Sequence, residues 1–172
     1  MLVKLGQRRA ATDLVGSLLE CHERIRSMSG LAVTLADRQE LPADERDDAC
    51  ARVARYFAES LPLHVRDEEE SLLPRLTGRS TAIDETLAEM HAQHQSHAAP
   101  LGQLIELCGK MRAAPEATVR AAFREVAHHL HEEFRRHLEL EETLLFPAMR
   151  TQLAPDEQAA ILAEVRTRRQ AP

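Results

Sequence analysis

Tryptophan is absent from the 172-residue chain, tyrosine occurs once and phenylalanine four times. β-Branched residues are also sparse, while alanine, leucine, glutamate and arginine are plentiful, which favours helix over strand. No apolar run approaches the roughly 20 residues of a membrane span. The N-terminal MLVKLGQRRAATDL lacks the apolar core of a signal peptide. The net charge is −6 and the basic residues are not massed in one block, which argues against a nucleic-acid surface. Cysteine is limited to Cys21, Cys50 and Cys108, with no C-x-x-C pair. An odd, widely spaced set does not make a disulfide framework. The expectation is a reduced, cytoplasmic protein in which these thiols act as small buried apolar side chains. The length fits a single domain over 1–172 with a real core.

What the chain does have is one stretch used twice. Residues 64–76 read HVRDEEESLLPRL and residues 137–149 read HLELEETLLFPAM. Aligned without a gap, His64 falls on His137, Glu68 on Glu141, Glu69 on Glu142, Leu72 on Leu145 and Pro74 on Pro147. On an α-helix, residues four apart share a face, one turn from each other. Each copy therefore offers an imidazole and a carboxylate to one point in space, as a metal ion requires.

Apolar periodicity places these copies on two of four long helices. The first helix is expected over about 12–37, with Leu14, Leu18, Ile25 and Val33 near one face and His22 within that stripe. The second starts near Pro42, and Val53, Phe57 and Leu61 lead into His64 and Glu68. Pro62 should kink it or restart it just before the histidine. The third begins near Ser80, with Ile83, Leu87, Met90, Leu101 and Ile105 in line with His94, a kink at Pro100, and an end between Gly109 and Pro115. The fourth starts at about Pro115, and Phe123, Val126, Leu130 and Phe134 lead into His137 and Glu141. A shorter fifth helix is expected over about 156–168, ahead of a charged, frayed tail. Short connections between long amphipathic segments predict an all-α fold, an up-down antiparallel four-helix bundle with a short fifth C-terminal helix. His22 to His64 spans 42 positions and His94 to His137 spans 43, which suggests two similar hairpins.

Each long helix thus contributes one inward histidine, and two helices add a glutamate one turn later. Burying ionised groups costs several kcal/mol each unless they are paired or bound to metal. Two carboxylates and four imidazoles in one core call for positive charge, and a pair of metal ions supplies it. Imidazole with carboxylate suits iron, and sulfur is absent from these stripes. The candidate metal ligands are His22, His64, Glu68, His94, His137 and Glu141. Glu69 and Glu142 lie about 100° around their helices, so they belong behind the ligands or at the surface. His91 and His97 flank His94 at three residues on either side. One of them is a candidate seventh ligand or a donor that orients a ligand, and spacing does not separate them. His128 and His131 point away from the His137 face and read as surface, and His129 is intermediate. The one Glu-x-x-His, Glu125–His128, lies off the ligand face, so a ferritin-type site fails on count and on phase.

These residues resemble the hemerythrin-like (HHE cation-binding) domain. The similarity is carried by CHERI around His22, LPLHVRDEEESLLPRL around His64 and Glu68, EMHAQH ending at His94, and HLELEETLLFP around His137 and Glu141. It extends from about residue 12 to residue 168. The resemblance implies a non-haem di-iron centre with two iron ions and an oxo or hydroxo bridge. His22, His64, His94 and His137 would be terminal ligands, and Glu68 and Glu141 would bridge. The oxygen carriers of the family have two histidines four residues apart on the third helix and an aspartate bridge on the fourth. Here Met90 and Ala98 flank His94 at that distance and the fourth-helix carboxylate is Glu141. The set is more similar to the bacterial stress-response and sensor branches. Two octahedral irons have about twelve positions, of which these ligands and the bridging oxygen leave about two open. The expected partner is therefore a small diatomic ligand, O2 or NO, bound or sensed. The alternatives are a di-iron redox enzyme acting on peroxide or NO, and an iron-handling or stress-response protein. Zinc is the possible substitute metal.

Overall fold

The computed structural model describes residues 13–38 and 40–170. Among these the fold is all-helical. Helix α1 spans Leu14–Asp37, and its start is capped by the Asp13 carboxylate, which accepts from the Gly16 N–H at 2.7 Å. The expected start at Thr12 lies outside the described residues. Helix α2 is one continuous rod over 43–76, and α3 spans Thr81–Ala113. The Ser80 hydroxyl caps α3 by accepting from the Ile83 N–H. Between these two helices Gly78 adopts a left-handed φ of 81°, which a side chain would strain, and its N–H donates to Asp84. Helix α4 is a second composite rod over 117–152, and α5 spans Pro155–Arg168. The third helix ends at Ala113, within the expected 109–115, and stays α-helical through Pro100.

The composite rods are explained by their prolines. Each contains wider π turns: Tyr56–Ser60 and Asp67–Leu72 in α2, and Glu141–Leu145 in α4. In all three the residue just before a proline donates its N–H to the carbonyl five positions back. These bonds are Leu61 to Tyr56, Leu73 to Glu68, and Phe146 to Glu141. Proline has no N–H to give and its ring crowds the carbonyl four residues earlier, so widening the turn relieves both problems at once. Pro62 therefore does not break the helix before His64. It shifts its register, as Pro74 and Pro147 do after the two glutamates.

Two apolar clusters fill the interior. One gathers Ile25, Val53, Phe57, Leu61, Leu104, Leu107, Phe123, Leu130 and Phe134. The other gathers Leu14, Leu18, Leu72, Leu76, Ile83, Leu87, Met90, Leu145 and Met149, with Ile161 and Val165 of α5. Helices α1 and α3 begin in the second cluster and end in the first, and α2 and α4 run the other way. Helix α1 packs on α2 and α4, and α3 packs on the same two. Val33, expected inside, is only half-buried, and Ala32 and Leu35 take the inner positions. Leu101 and Ile105 are likewise half-buried, and Leu104, Leu107 and Cys108 replace them. All three cysteines are buried and free. No described helix is long and apolar enough to cross a membrane.

Candidate metal centre

Between the two apolar clusters lies a polar layer. His22, His64, Glu68, His137 and Glu141 are each at most 2% exposed, and the His94 side chain is 5% exposed. The structure brings all six sequence-predicted residues together in two groups. His22 and His64 form one with the two glutamates, and His94 and His137 form the other with the same two. Within each group the ligand atoms lie within 4.8 Å of one another. Glu68 points Oε1 at His64 Nε2, 3.0 Å away, and Oε2 at His94 Nε2, 3.2 Å away. Glu141 points Oε2 at His22 Nε2, 3.0 Å away, and Oε1 at His137 Nε2, 3.2 Å away. Each carboxylate thus divides its oxygens between two histidine pairs, the disposition of a bridge.

These atoms approach one another without the alignment of hydrogen bonds. The Nε2 atoms of His22 and His64 and all four carboxylate oxygens of Glu68 and Glu141 are buried with no hydrogen-bond partner. Buried polar atoms are almost always satisfied, so a cluster of orphans converging on one region fits a cation seated among them. The protonation states agree. Burial lowers His64 to about 3, with the other ring imidazoles adding to the effect, and lowers His137 to about 4. Both rings are therefore neutral at pH 7, as metal ligation requires. Burial, and then the neighbouring Glu141 carboxylate, pushes Glu68 well above the ordinary range. Glu141 is drawn down in spite of burial by His137 and His22. Without metal, one carboxyl of the pair takes up a proton because two adjacent buried charges cannot be sustained.

A pH dependence follows for the metal-free protein. The unfolded chain protonates His64 and His137 as pH falls through about 6.5, while the native state holds them neutral down to about 3 and 4. Glu68 opposes this, since the native state keeps a proton there that the unfolded carboxyl releases above about 4.5. Two histidine protons against one carboxyl proton leave the unfolded state with more protons, and burial of His97 adds to the excess, so native stability falls as pH falls below about 6.5. Urea unfolding in chelator at pH 7 and pH 5 checks this. Equal or greater stability at pH 5 contradicts it.

Around the layer, partners fix the histidine rings. Glu142 Oε1 lies 2.8 Å from His22 Nδ1 and accepts from Arg26 Nη2 at 2.7 Å. Glu69 Oε1 lies 3.0 Å from His94 Nδ1 and 2.9 Å from His91 Nδ1. The repeated glutamates thus stand behind the ligands, on opposite halves of the site. Both are held below the ordinary carboxylate range despite partial burial, Glu69 by His94 and His91, Glu142 by His22 and Arg26. Gln93 Oε1 accepts from His137 Nδ1 at 2.8 Å. Such partners set the tautomer and the aim of a ligand. Gln93 and Arg26 had no periodic signal in the sequence.

The remaining histidines separate cleanly. His91 is exposed and supports Glu69, while His97 is 4% exposed and turned inward. His97 is not a member of either four-residue group. A small cavity of about 30 Å³ is lined by His97 together with His64, His94 and His137. His128 is exposed and pairs with Asp37, and His129 is exposed. His131 departs from its surface reading: it is half-buried and bonds the Ser29 hydroxyl of α1 at 3.0 Å.

The tail is the larger correction. Residues 166–172 were expected to fray, yet Arg168 and Arg169 reach back to α2. Arg168 Nη1 donates to Asp67 Oδ1 at 2.8 Å, and Arg169 Nη2 donates to Asp67 Oδ2 at 2.6 Å. Arg168 Nη2 also donates to the Ser71 hydroxyl, which donates in turn to Glu164 Oε2. Asp67, fully buried, starts the π turn that carries Glu68. The final residues of the tail, 171–172, lie outside the described residues.

Buried imidazoles and carboxylates converging within an all-helical bundle define a metal-binding domain. Comparison with protein families agrees, because the hemerythrin HHE cation binding domain matches residues 13–108, more than half of the chain. The chain belongs to that family. The matched span includes His22, His64, Glu68 and His94, and the fold adds His137 and Glu141 from α4. No curated protein sequence matches the chain.

Proposed function

We propose that the chain is an up-down four-helix bundle holding two iron ions joined by an oxo or hydroxo bridge, and that it binds or senses O2 or NO. The up-down arrangement is supported by the alternating order in which α1 to α4 visit the two apolar clusters. The observation that carries the di-iron reading is the division of Glu68 and Glu141 between two histidine pairs. Four histidines and two bridging carboxylates leave about two of roughly twelve positions open. Bound iron would supply those positions and a redox couple. The small cavity beside three of the histidines, about 30 Å³, has room for a diatomic ligand. Three free buried thiols suit a cytoplasmic protein.

Elemental analysis followed by anaerobic reconstitution and gas titration tests this. We expect iron near two per chain and a new absorption band on adding O2 or NO. A stable fold that takes up no iron, or zinc alone, rejects the di-iron centre. Iron loading without a spectral response to either gas rejects the ligand. Steady-state turnover of peroxide or NO would move the reading from binding to catalysis.

A further inference from the structure

His97 is a buried polar group that the ligand set does not use. Its side chain is 5% exposed and its Nε2 has no hydrogen-bond partner. The nearest carboxylate oxygen, Glu133 Oε2, is 4.0 Å away, beyond hydrogen-bonding distance. The ring is held edge-on to Phe134 and to His137, with centroids at 5.1 and 5.5 Å. It lines the same small cavity as His64, His94 and His137, and the other walls, among them Ile25 and Phe134, are apolar. An unsatisfied buried nitrogen destabilises the fold, so its retention in an apolar wall calls for a partner that enters the cavity.

We infer that His97 is a positioning residue that donates a hydrogen bond from Nε2 to a small ligand lodged in this cavity against the metal site. The inference rests on the proposed di-iron reading. The cavity volume limits the ligand to about two heavy atoms. O2 and NO carry lone pairs and no proton, so each can only accept. A neutral imidazole with its proton on Nε2 supplies the matching donor. Carbon monoxide, a poor acceptor at oxygen, gains little from the same contact. His97 thus distinguishes O2 and NO from carbon monoxide by acceptor strength and not by size.

The test uses full-length protein loaded anaerobically with iron(II), as wild type, His97→Leu and His97→Gln. Three quantities are read: iron per chain, the dissociation constant for NO by absorbance, and the N–O stretching frequency by infrared spectroscopy. The expected result is unchanged iron content in all three, NO binding about 3- to 10-fold weaker in His97→Leu, and a shifted N–O stretch there. His97→Gln, which restores an N–H donor, should return affinity and frequency toward wild type. Identical affinity and frequency in His97→Leu overturns the inference and leaves the di-iron reading intact. Loss of iron in His97→Leu and His97→Gln alike also overturns it, since His97 would then be a ligand. Iron-loaded wild type that forms no NO complex overturns the ligand-binding reading and the role of His97 with it.

Discussion

Exchange of Glu141 for alanine is expected to cut metal content to less than half that of wild type, and to well below one ion per chain on the proposed two-ion reading. The carboxylate faces His22 with one oxygen and His137 with the other, so a single substitution removes a donor from both halves. His22→Ala touches one half only and should leave the His94–His137 half partly loaded. His128→Ala, at an exposed ring paired with Asp37, should leave metal content unchanged. The loss has a stability counterpart. A metal that binds only the native state stabilises it by about 4 kcal/mol at a thousandfold excess over its dissociation constant. Added metal should therefore raise the Tm of wild type and of His128→Ala, and should not move that of Glu141→Ala. Full metal content in Glu141→Ala, measured by elemental analysis after desalting, would remove the bridging role.

Replacement of both Arg168 and Arg169 by alanine is the second large effect, and it acts through Asp67, the chain neighbour of the ligand Glu68. Asp67 is fully buried, and these guanidiniums are its charged partners. Removing the partners of a buried charge costs about 3–5 kcal/mol, because the remaining ion has neither water nor a counter-charge. For a chain of this size that is a fall in Tm on the order of 10 °C. Adding Asp67→Asn to the double variant should recover part of the loss, which separates the orphaned charge from simple loss of packing. Asp67 precedes Glu68 in the same π turn, so metal affinity should fall with stability. Unfolding midpoints by urea and metal retention against a chelator read the two effects. An unchanged midpoint would mean that the C-terminal helix is only an accessory.

The contrast between these variants reflects what the sequence could reveal. His22, His64, Glu68, His94, His137 and Glu141 were legible because each lies on an apolar stripe of known period, and because the His-x-x-x-Glu spacing occurs twice. The prolines signalled disturbed helices, but a pattern of apolar residues does not distinguish a kink from a π turn. Both keep the chain helical and differ only in which carbonyl accepts. Leu104 and Leu107 displaced Leu101 and Ile105 because several leucine stripes on α3 offer nearly equal phase. Gln93 was invisible: its role comes from lying across from His137 on another helix, and polar side chains at half-exposed positions carry no periodicity. Asp67 had a signal. In the aligned repeats it and Ser71 stand where the second copy has Leu140 and Leu144. A polar pair on a face that is apolar in the sister copy marks a charged neighbour, here α5. His97 could be told from His91 only in three dimensions, since both stand three residues from His94.

The three π turns also give the molecule separate indexing for its parts. Each turn holds one residue more than an α turn, and one residue corresponds to a rotation of about 100° about the helix axis. Glu68 and Glu141 supply the carbonyls that accept the widened bonds, so each stands at the boundary where one phase gives way to the next. Upstream, the histidine faces are in step with the first apolar cluster, and downstream Leu72 and Leu145 are in step with the second. A one-residue deletion at Ser71 or Leu144 would close the wide turn to an ordinary α turn, leaving the ligands and the downstream face in phase but returning the following proline to the crowded position that the wide turn relieves. The π turns thus act as length buffers, which separate the fixed histidine-to-glutamate interval of one helical turn from the packing of the bundle end beyond it.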